Sequence, residues 1–248
     1  WSLVAQLVVG NAVYTATVWV RSPWRPSGTF RLSAIRPLLP FSSNLLATSI
    51  LDTVFERAQG AVIGKMYSVA DLGFYTRAAN TQALPVGLLT NAVQRVGFPY
   101  FAKIASDLTQ LRWAVREILC GLAFLTAPIL VFLASSAQPV ILAMFGPKWL
   151  PSAPYLQILS IAGLLWPFHV VNLHALLAVG RSDVFFWLEI AKKVLGVTVV
   201  WATYSHGIDA MAWGAVISSV GCALINSYYS GKQLKYTRSE EHTSELQS

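Results

Sequence analysis

Seven long apolar stretches, separated by short polar segments, dominate the pattern of hydrophobic and polar positions. Each is close to or above the roughly 20 residues that a helix needs to cross a bilayer. No stretch alternates apolar and polar residues as a half-buried strand would, and no heptad repeat occurs. The pattern predicts an all-α fold, a polytopic transmembrane helical bundle of about seven spans. The predicted spans are Leu3–Val20, Leu38–Gly64, Leu72–Ile104, Trp113–Leu133, Tyr155–Val179, Val184–Tyr204 and Ala210–Ser230.

Composition supports a membrane location. Apolar residues make up 55% of the chain and charged residues only 12%, about half the charged share of a soluble domain. The net charge of +7 would suggest nucleic acid in a soluble protein. Here most bases lie between apolar runs, so we interpret them as topology signals and as contacts to an anionic lipid substrate. The expected partners therefore include membrane lipids and exclude nucleic acid. Cys120 and Cys222 lie in separate apolar segments and predict no disulfide.

Basic residues in the loops predict an orientation. Loops on alternate sides of the bundle hold ten bases in one set and two in the other. The positive-inside rule makes the first set cytoplasmic. The first set is Arg21, Arg25, Arg31, Arg36, Lys103, Arg112, Arg116, Arg181, Lys232 and Lys235. The second holds Lys65 and Lys148, together with His206 and Asp209.

The two ends of the chain are unusual. The first residue is Trp1, with no Met and no signal peptide, so we expect a sequence truncated at its N-terminus. The tail RSEEHTSELQS, residues 238–248, resembles the in-frame translation of a short-read sequencing adapter. We therefore expect residues 236–248 to be non-native.

Charges inside the second and third predicted spans are the first candidates for function. A charge within a span costs about 2.5–3.5 kcal/mol on insertion scales, so it normally faces a cavity or a partner. Arg57, Arg77 and Arg95 are the candidate cationic, substrate-binding residues, and Arg77 and Arg95 share one helix stripe about 27 Å apart. Asp52 and Glu56 share a helix face beside Arg57. The alternative is that both acids pair with Arg57 and that Arg77 and Arg95 snorkel to opposite interfaces.

The sixth predicted span holds the sequence WLEIAKKVLG. Glu189 and Lys193 form an i,i+4 pair in the favourable order. Lys192 is left over, and with Asp52 and Glu56 it is a candidate for ion coupling or charge pairing. His169 and His174 are five residues apart and do not share a helix face, so we predict no metal site. No nucleophile elbow, DxD, HExxH or phosphate-binding glycine loop occurs. The sequence therefore predicts no cofactor and no ATP hydrolysis by this chain.

Three segments resemble a known family, the Wzx-type polysaccharide flippases. Their similarity is greatest to the colanic-acid exporter-like branch of the superfamily that includes the multidrug and toxic-compound extruders. The segments are IGKMYSVADLGFYTRAANTQALPVGLLTNAVQRVGFPYFAKI, FGPKWLPSAPYLQILSIAGLLWPFHVVN and ALLAVGRSDVFFWLEIAKK. The resemblance covers residues 37–234 and implies two six-helix lobes around a central cavity. It places the last helix of the N-terminal lobe and a basic linker in residues 1–36, and the C-terminal six-helix lobe in residues 37–235.

The resemblance also implies an activity, that of a transporter rather than an enzyme. Members move an undecaprenyl-diphosphate-linked oligosaccharide from the cytoplasmic to the periplasmic leaflet for surface polysaccharide synthesis. The expected location is the bacterial inner membrane, and the expected partners are a polysaccharide polymerase and glycosyltransferases. A cationic cavity described for the family favours binding roles for Arg57, Arg77 and Arg95.

Three alternatives stay open. A drug or cation extruder of the same superfamily would need a buried acid in an apolar pocket, whereas Asp52 and Glu56 have Arg57 beside them. A membrane polymerase or glycosyltransferase would need a large outer loop or an acidic metal motif. The longest predicted outer loop, residues 134–153, has one charge and is predicted to hold a short interfacial helix. The third alternative is a structural membrane subunit.

Overall fold

The computed structural model describes residues 2–23 and 39–233, except for the side chains of residues 3, 56, 59, 63 and 233. No strand occurs among these residues. The chain divides into two units, Trp1–Leu39 and Pro40–Ser248. The basic linker and the adapter-like tail lie outside the described residues, so the predicted domain boundaries stay predictions.

Helices account for nearly all of the described chain. Helix α1, in the first unit, corresponds to the first predicted span. A short 3₁₀ turn, Pro147–Ser152, lies between α5 and α6. The helices are α1 (Ser2–Arg21), α2 (Leu39–Met66), α3 (Val69–Ile104), α4 (Leu108–Ser135), α5 (Ala137–Phe145), α6 (Ala153–Gly163), α7 (Trp166–Ala178), α8 (Ser182–Thr203) and α9 (Ile208–Gln233).

Side-chain caps begin two of the long helices. Ser68 and Asp71 form a reciprocal capping box at the start of α3, in which each side chain accepts a hydrogen bond from the other residue's backbone N–H. The Asp107 carboxylate accepts hydrogen bonds from the backbone N–H groups of Thr109 and Gln110 at the start of α4. These contacts satisfy N–H groups that a helix start leaves without partners.

The fifth predicted span is not one helix. Its two parts, α6 and α7, meet at a bend of 40°. Pro167 stands in the first turn of α7, where its missing N–H and its ring are tolerated. By contrast, α3 and α4 continue through Pro85, Pro99 and Pro128.

In the second unit, α6 and α7 both pack against α3, α4 and α9. Two large apolar clusters lie at these contacts. The first cluster joins α3, α5, α6 and α9 through residues such as Tyr75, Ile141 and Leu156. The second joins α3, α4 and α7 through residues such as Phe101 and Leu111. Many large apolar side chains outside these clusters are exposed, as expected where lipid replaces water around a helical protein.

Helix α2 runs alongside α8 in the same direction. The Asn44 side-chain amide near the start of α2 donates to the Ser182 hydroxyl at the start of α8, at 3.2 Å. The Tyr67 hydroxyl, just past the end of α2, donates to the carbonyl of Tyr204, just past the end of α8. Parallel directions agree with the predicted topology, in which the second and sixth spans both cross from inside to outside.

The all-α membrane architecture predicted from the sequence is confirmed, but not the full number of spans. Among the described helices, Leu108–Ser135 and Ile208–Lys232 are long and apolar enough to cross a membrane. The bent pair Pro147–Gly163 and Trp166–Ala178 adds a third crossing if it spans as one unit. The predicted spans that correspond to α2, α3 and α8 each carry charged residues, which lower their hydropathy. Those spans and α1 stay predictions.

Helices α8 and α9 approach closely at Gly214. A Cβ atom at this buried position would lie 2.9 Å from Val199 Cγ1 and 3.3 Å from the Thr203 side chain. Both neighbours are β-branched and stiff at χ1, so they cannot easily move away. Small residues allow such close helix contacts in membranes, where packing rather than the hydrophobic effect drives association.

We therefore predict that Gly214→Val destabilises the protein. Overpacking of this kind typically costs about 1–3 kcal/mol. The measurement is thermal unfolding of the purified protein in detergent. Gly121→Val in α4 is the matched control, since a Cβ atom there meets nothing within 4 Å. Equal losses in the two variants would show that the α8–α9 contact is not tight at Gly214.

Candidate functional site

Arg77 lies in the first third of α3, against the end of α5 and the 3₁₀ turn that follows it. Its guanidinium carbon is 4.6 Å from the centre of the Phe145 ring and 4.5 Å from that of the Trp149 ring. The Phe74 ring packs edge-on against Trp149, with ring centres 5.9 Å apart. We call Arg77, Phe145 and Trp149 the Arg77 clamp.

The Arg77 clamp holds a cation without neutralising it. The Arg77 side chain is half-buried, and its Nε atom is buried without a hydrogen-bond partner. No described acid forms an ion pair with it. Aromatic faces stabilise a guanidinium by about 0.5–2 kcal/mol, and they leave its N–H donors free for an anion. No sequence signal indicated Phe145 and Trp149, which are about 70 residues away from Arg77 along the chain.

Arg57 and Arg95, the other two predicted cationic residues, are exposed. The continuous helix α3 places Arg95 about five turns, or roughly 27 Å, beyond Arg77. No contact joins Arg57 or Arg95 to the clamp among the described residues. A shared cationic cavity for the three arginines therefore stays a prediction.

A chain of ion pairs crosses from α2 to α8. The Lys193 ammonium lies 2.6 Å from Asp52 Oδ1 and 3.8 Å from Glu189 Oε2. The Lys192 ammonium pairs with the other oxygen of Glu189. Glu189 and Lys192 have only 7% and 10% of their side chains exposed, whereas Asp52 has 43%. We call these four residues, Asp52, Lys193, Glu189 and Lys192, the α2–α8 ion network.

This network corrects two expectations. Asp52 pairs with Lys193 on another helix and not with Arg57, which lies five residues further along α2. Lys192 is not left over, because it pairs with Glu189. The expected Glu189–Lys193 pair exists, but at 3.8 Å it is longer than the contact of Lys193 with Asp52. The side chain of Glu56 lies outside the described residues. The role of Asp52, Glu56 and Lys192 in ion coupling stays a prediction.

A buried polar contact that the sequence did not indicate lies beside the network. His169 of α7 and Asn226 of α9 meet through a 3.1 Å hydrogen bond between His169 Nδ1 and Asn226 Nδ2. Asn226 Oδ1 is buried without a partner. His174 instead bonds the carbonyl of Val170 one turn earlier, so the two histidines do not share a site. Within residues 2–23 and 39–233, no three His, Cys, Asp or Glu residues are grouped to hold a metal ion.

An open cavity of about 420 Å³ lies between α2 and α8. It extends from the ion network toward the C-terminal ends of both helices. Its walls are almost entirely apolar. We call this cavity the α2–α8 groove. Its described lining residues are Phe55, Ala58, Val62, Lys65, Met66, Val197, Val200, Trp201 and Tyr204.

Curated relatives cover most of the chain. It is 29% identical over 209 residues to the teichuronic acid biosynthesis protein TuaB of Bacillus subtilis, covering 84% of this chain and 43% of the relative. It is 27% identical to the succinoglycan biosynthesis transport protein ExoT of Rhizobium meliloti, covering 89% of this chain and 45% of the relative. It is 28% identical to the lipopolysaccharide biosynthesis protein WzxC of Escherichia coli, covering 81% of this chain and 42% of the relative.

The chain spans less than half the length of these relatives. No solved structure matches it. The model of one protein family matches residues 1–154, well over half of the chain and including α1 to α5 and the Arg77 clamp. The chain therefore belongs to the family of polysaccharide biosynthesis proteins.

Proposed function

We propose that this chain forms one lobe of a flippase, a transporter that moves an undecaprenyl-diphosphate-linked oligosaccharide from the cytoplasmic to the periplasmic leaflet of the bacterial inner membrane. The transported molecule would supply surface polysaccharide synthesis. Three kinds of observation support this proposal: the family, the relatives named for polysaccharide biosynthesis and transport, and an all-α membrane architecture. The expected partners are a polysaccharide polymerase and glycosyltransferases.

The Arg77 clamp is the observation that carries the proposal. A diphosphate with sugars attached cannot cross hydrocarbon unaided, so its carrier must offer a polar, cationic surface inside the membrane. Arg77 supplies an unpaired guanidinium with a fixed position, and guanidinium binds phosphate oxygens in a bidentate manner. The two aromatic rings also offer surfaces on which a sugar ring can rest.

Arg57 and Arg95 complete the proposed path. Both are exposed on long helices, one on α2 and one on α3, away from the clamp. In this proposal they act as further stations for the anionic head as the lobes alternate between inward-open and outward-open states. A second lobe, as implied by the greater length of the relatives, would face them across the cavity.

The extruder alternative is less favoured by the charges. Export of an organic cation needs an acid that is free to bind it. Two acids, Asp52 in α2 and Glu189 in α8, already have lysine partners, Lys193 and Lys192. Arg77, by contrast, is a cation held in place by packing, with no carboxylate partner among the described residues.

Our first prediction for this function concerns Arg77. The matching segment of WzxC is replaced by this chain, and the chimera is expressed in an E. coli strain lacking WzxC. Arg77→Ala should reduce surface polysaccharide by about tenfold or more, because a hydrogen bond to a charged group contributes about 1.5–3 kcal/mol. Arg77→Lys keeps the charge but loses the bidentate geometry, so an intermediate level is expected.

Lys103→Ala is the matched control, since Lys103 is an exposed base in the last turn of the same helix. It should leave polysaccharide unchanged. Membrane levels of each variant, measured by immunoblot, separate loss of transport from loss of protein. Normal polysaccharide with Arg77→Ala at normal protein level would rule out the binding role.

Our second prediction concerns the α2–α8 ion network. Asp52→Lys places two ammonium groups together and should lower the free energy of unfolding by about 1–3 kcal/mol. This is less than the roughly 3–5 kcal/mol for unpairing a fully buried charge, because Asp52 is 43% exposed. The double variant Asp52→Lys/Lys193→Asp should recover most of that loss. Thermal unfolding in detergent measures both.

The same exchange at Arg181 and Asp183 is the control. This pair, at 3.0 Å, is exposed, and the hydrogen bonds from Arg181 lower the pKa of Asp183. An exposed pair contributes about 0–1 kcal/mol, so Asp183→Lys should have little effect. A double variant at the network that is no more stable than Asp52→Lys would show that the two helices are not held by this pair.

A further inference from the structure

The α2–α8 groove arises because α2 touches α8 at a few separated points. The contacts are the Asn44–Ser182 hydrogen bond, the ion network, the Phe55 ring against Gly196 and the Tyr67–Tyr204 hydrogen bond. Between Phe55 and Tyr67 the helix surfaces separate and leave the cavity of about 420 Å³. Because the groove is open and its walls are almost entirely apolar, it is accessible to the surrounding lipid.

The two ends of the groove differ in chemistry. At the deep end, the Phe55 ring lies 5.1 Å from the Lys193 ammonium, whose charge Asp52 balances. The other end, ten residues or about 15 Å further along α2, holds Lys65, Trp201 and Tyr204. Trp and Tyr are enriched where the hydrocarbon meets the headgroups, and a lysine at a helix end extends its ammonium to the same level. The groove therefore runs from the headgroup level into the hydrocarbon.

Charge at the open end indicates the kind of headgroup. Lys65 is exposed, makes no ion pair with a described residue, and is the one charged side chain among the described lining residues. A single ammonium matches the single negative charge of a phosphodiester. A diphosphate carries more charge and is best held by several cations or by guanidinium groups, as at Arg77.

We propose that the α2–α8 groove is a binding site for one hydrocarbon chain of an anionic glycerophospholipid, with Lys65 at the lipid phosphodiester. The chain would fill the space between Phe55 and Trp201 and complete the packing of α2 on α8. The site is separate from the Arg77 clamp and does not depend on the proposed transport function. Hydrocarbon gains little by leaving bulk lipid for an apolar groove, so the headgroup sets the preference.

The test uses the purified protein in vesicles that contain a photoactivatable acyl chain on either phosphatidylglycerol or phosphatidylcholine. Labelled peptides are mapped by mass spectrometry. We expect adducts at residues 55–66 and 197–204, with about fivefold more from phosphatidylglycerol, since one lysine near an anionic headgroup has this effect. The label should be reduced in the presence of excess unlabelled phosphatidylglycerol.

Two variants test the two halves of the site. Lys65→Gln should abolish the headgroup preference, whereas Lys148→Gln, the other base predicted on that side, should retain it. Ala58→Phe should fill the groove and lower labelling of both segments several-fold. Val131→Phe, on a surface of α4 that is 55% exposed, should not. Far-ultraviolet circular dichroism of each variant checks that it remains helical.

Several results would overturn the proposal. Equal labelling by the two lipids, or a preference that survives Lys65→Gln, would show that Lys65 does not select the headgroup. Adducts spread evenly over all exposed helices would show that the groove holds no particular lipid. If an undecaprenyl diphosphate displaces the label better than phosphatidylglycerol does, the groove belongs to the transported lipid instead.

Discussion

Pairing of charges within apolar helices is the constraint on which the rest of this structure depends. Glu189 and Lys192 are almost completely buried, and burial of an unpaired ion costs several kcal/mol. The structure meets this cost with a chain of ion pairs that begins within one turn of α8 and reaches across to Asp52 on α2. Helix α2 has few other contacts with α8, so its position follows from where those charges can be neutralised.

The charges inside the helices of the second unit differ in whether a carboxylate pairs with them. Charges in the α2–α8 ion network have partners, which is what a stable membrane helix requires. Arg77 is different, because aromatic rings rather than carboxylates surround it and one of its nitrogen atoms is buried without a partner. A cation stabilised in this way retains its capacity for an anion, and this contrast makes Arg77 the strongest candidate for contact with phosphate.

A bend between α6 and α7 and a close contact between α8 and α9 determine how the other helices of the second unit pack. The break at residues 164–165 lets α6 and α7 follow different directions, so that each helps to cover α3, α4 and α9. The close approach at Gly214 joins α8 to α9. Between Phe55 and Tyr67 the surfaces of α2 and α8 separate, and the α2–α8 groove is the result.

The sequence by itself determined the helices, since runs of apolar residues must be helical in a bilayer to satisfy their backbone groups. It also identified Arg77 and the charges of α8, because charge in an apolar run stands out without any structure. Only the tertiary structure decided which side chains these residues contact. Asp52 meets Lys193, Arg77 meets Phe145 and Trp149, and His169 meets Asn226 across separations of 57 to about 140 residues. Helix periodicity relates residues three or four apart, whereas these contacts depend on how whole helices pack.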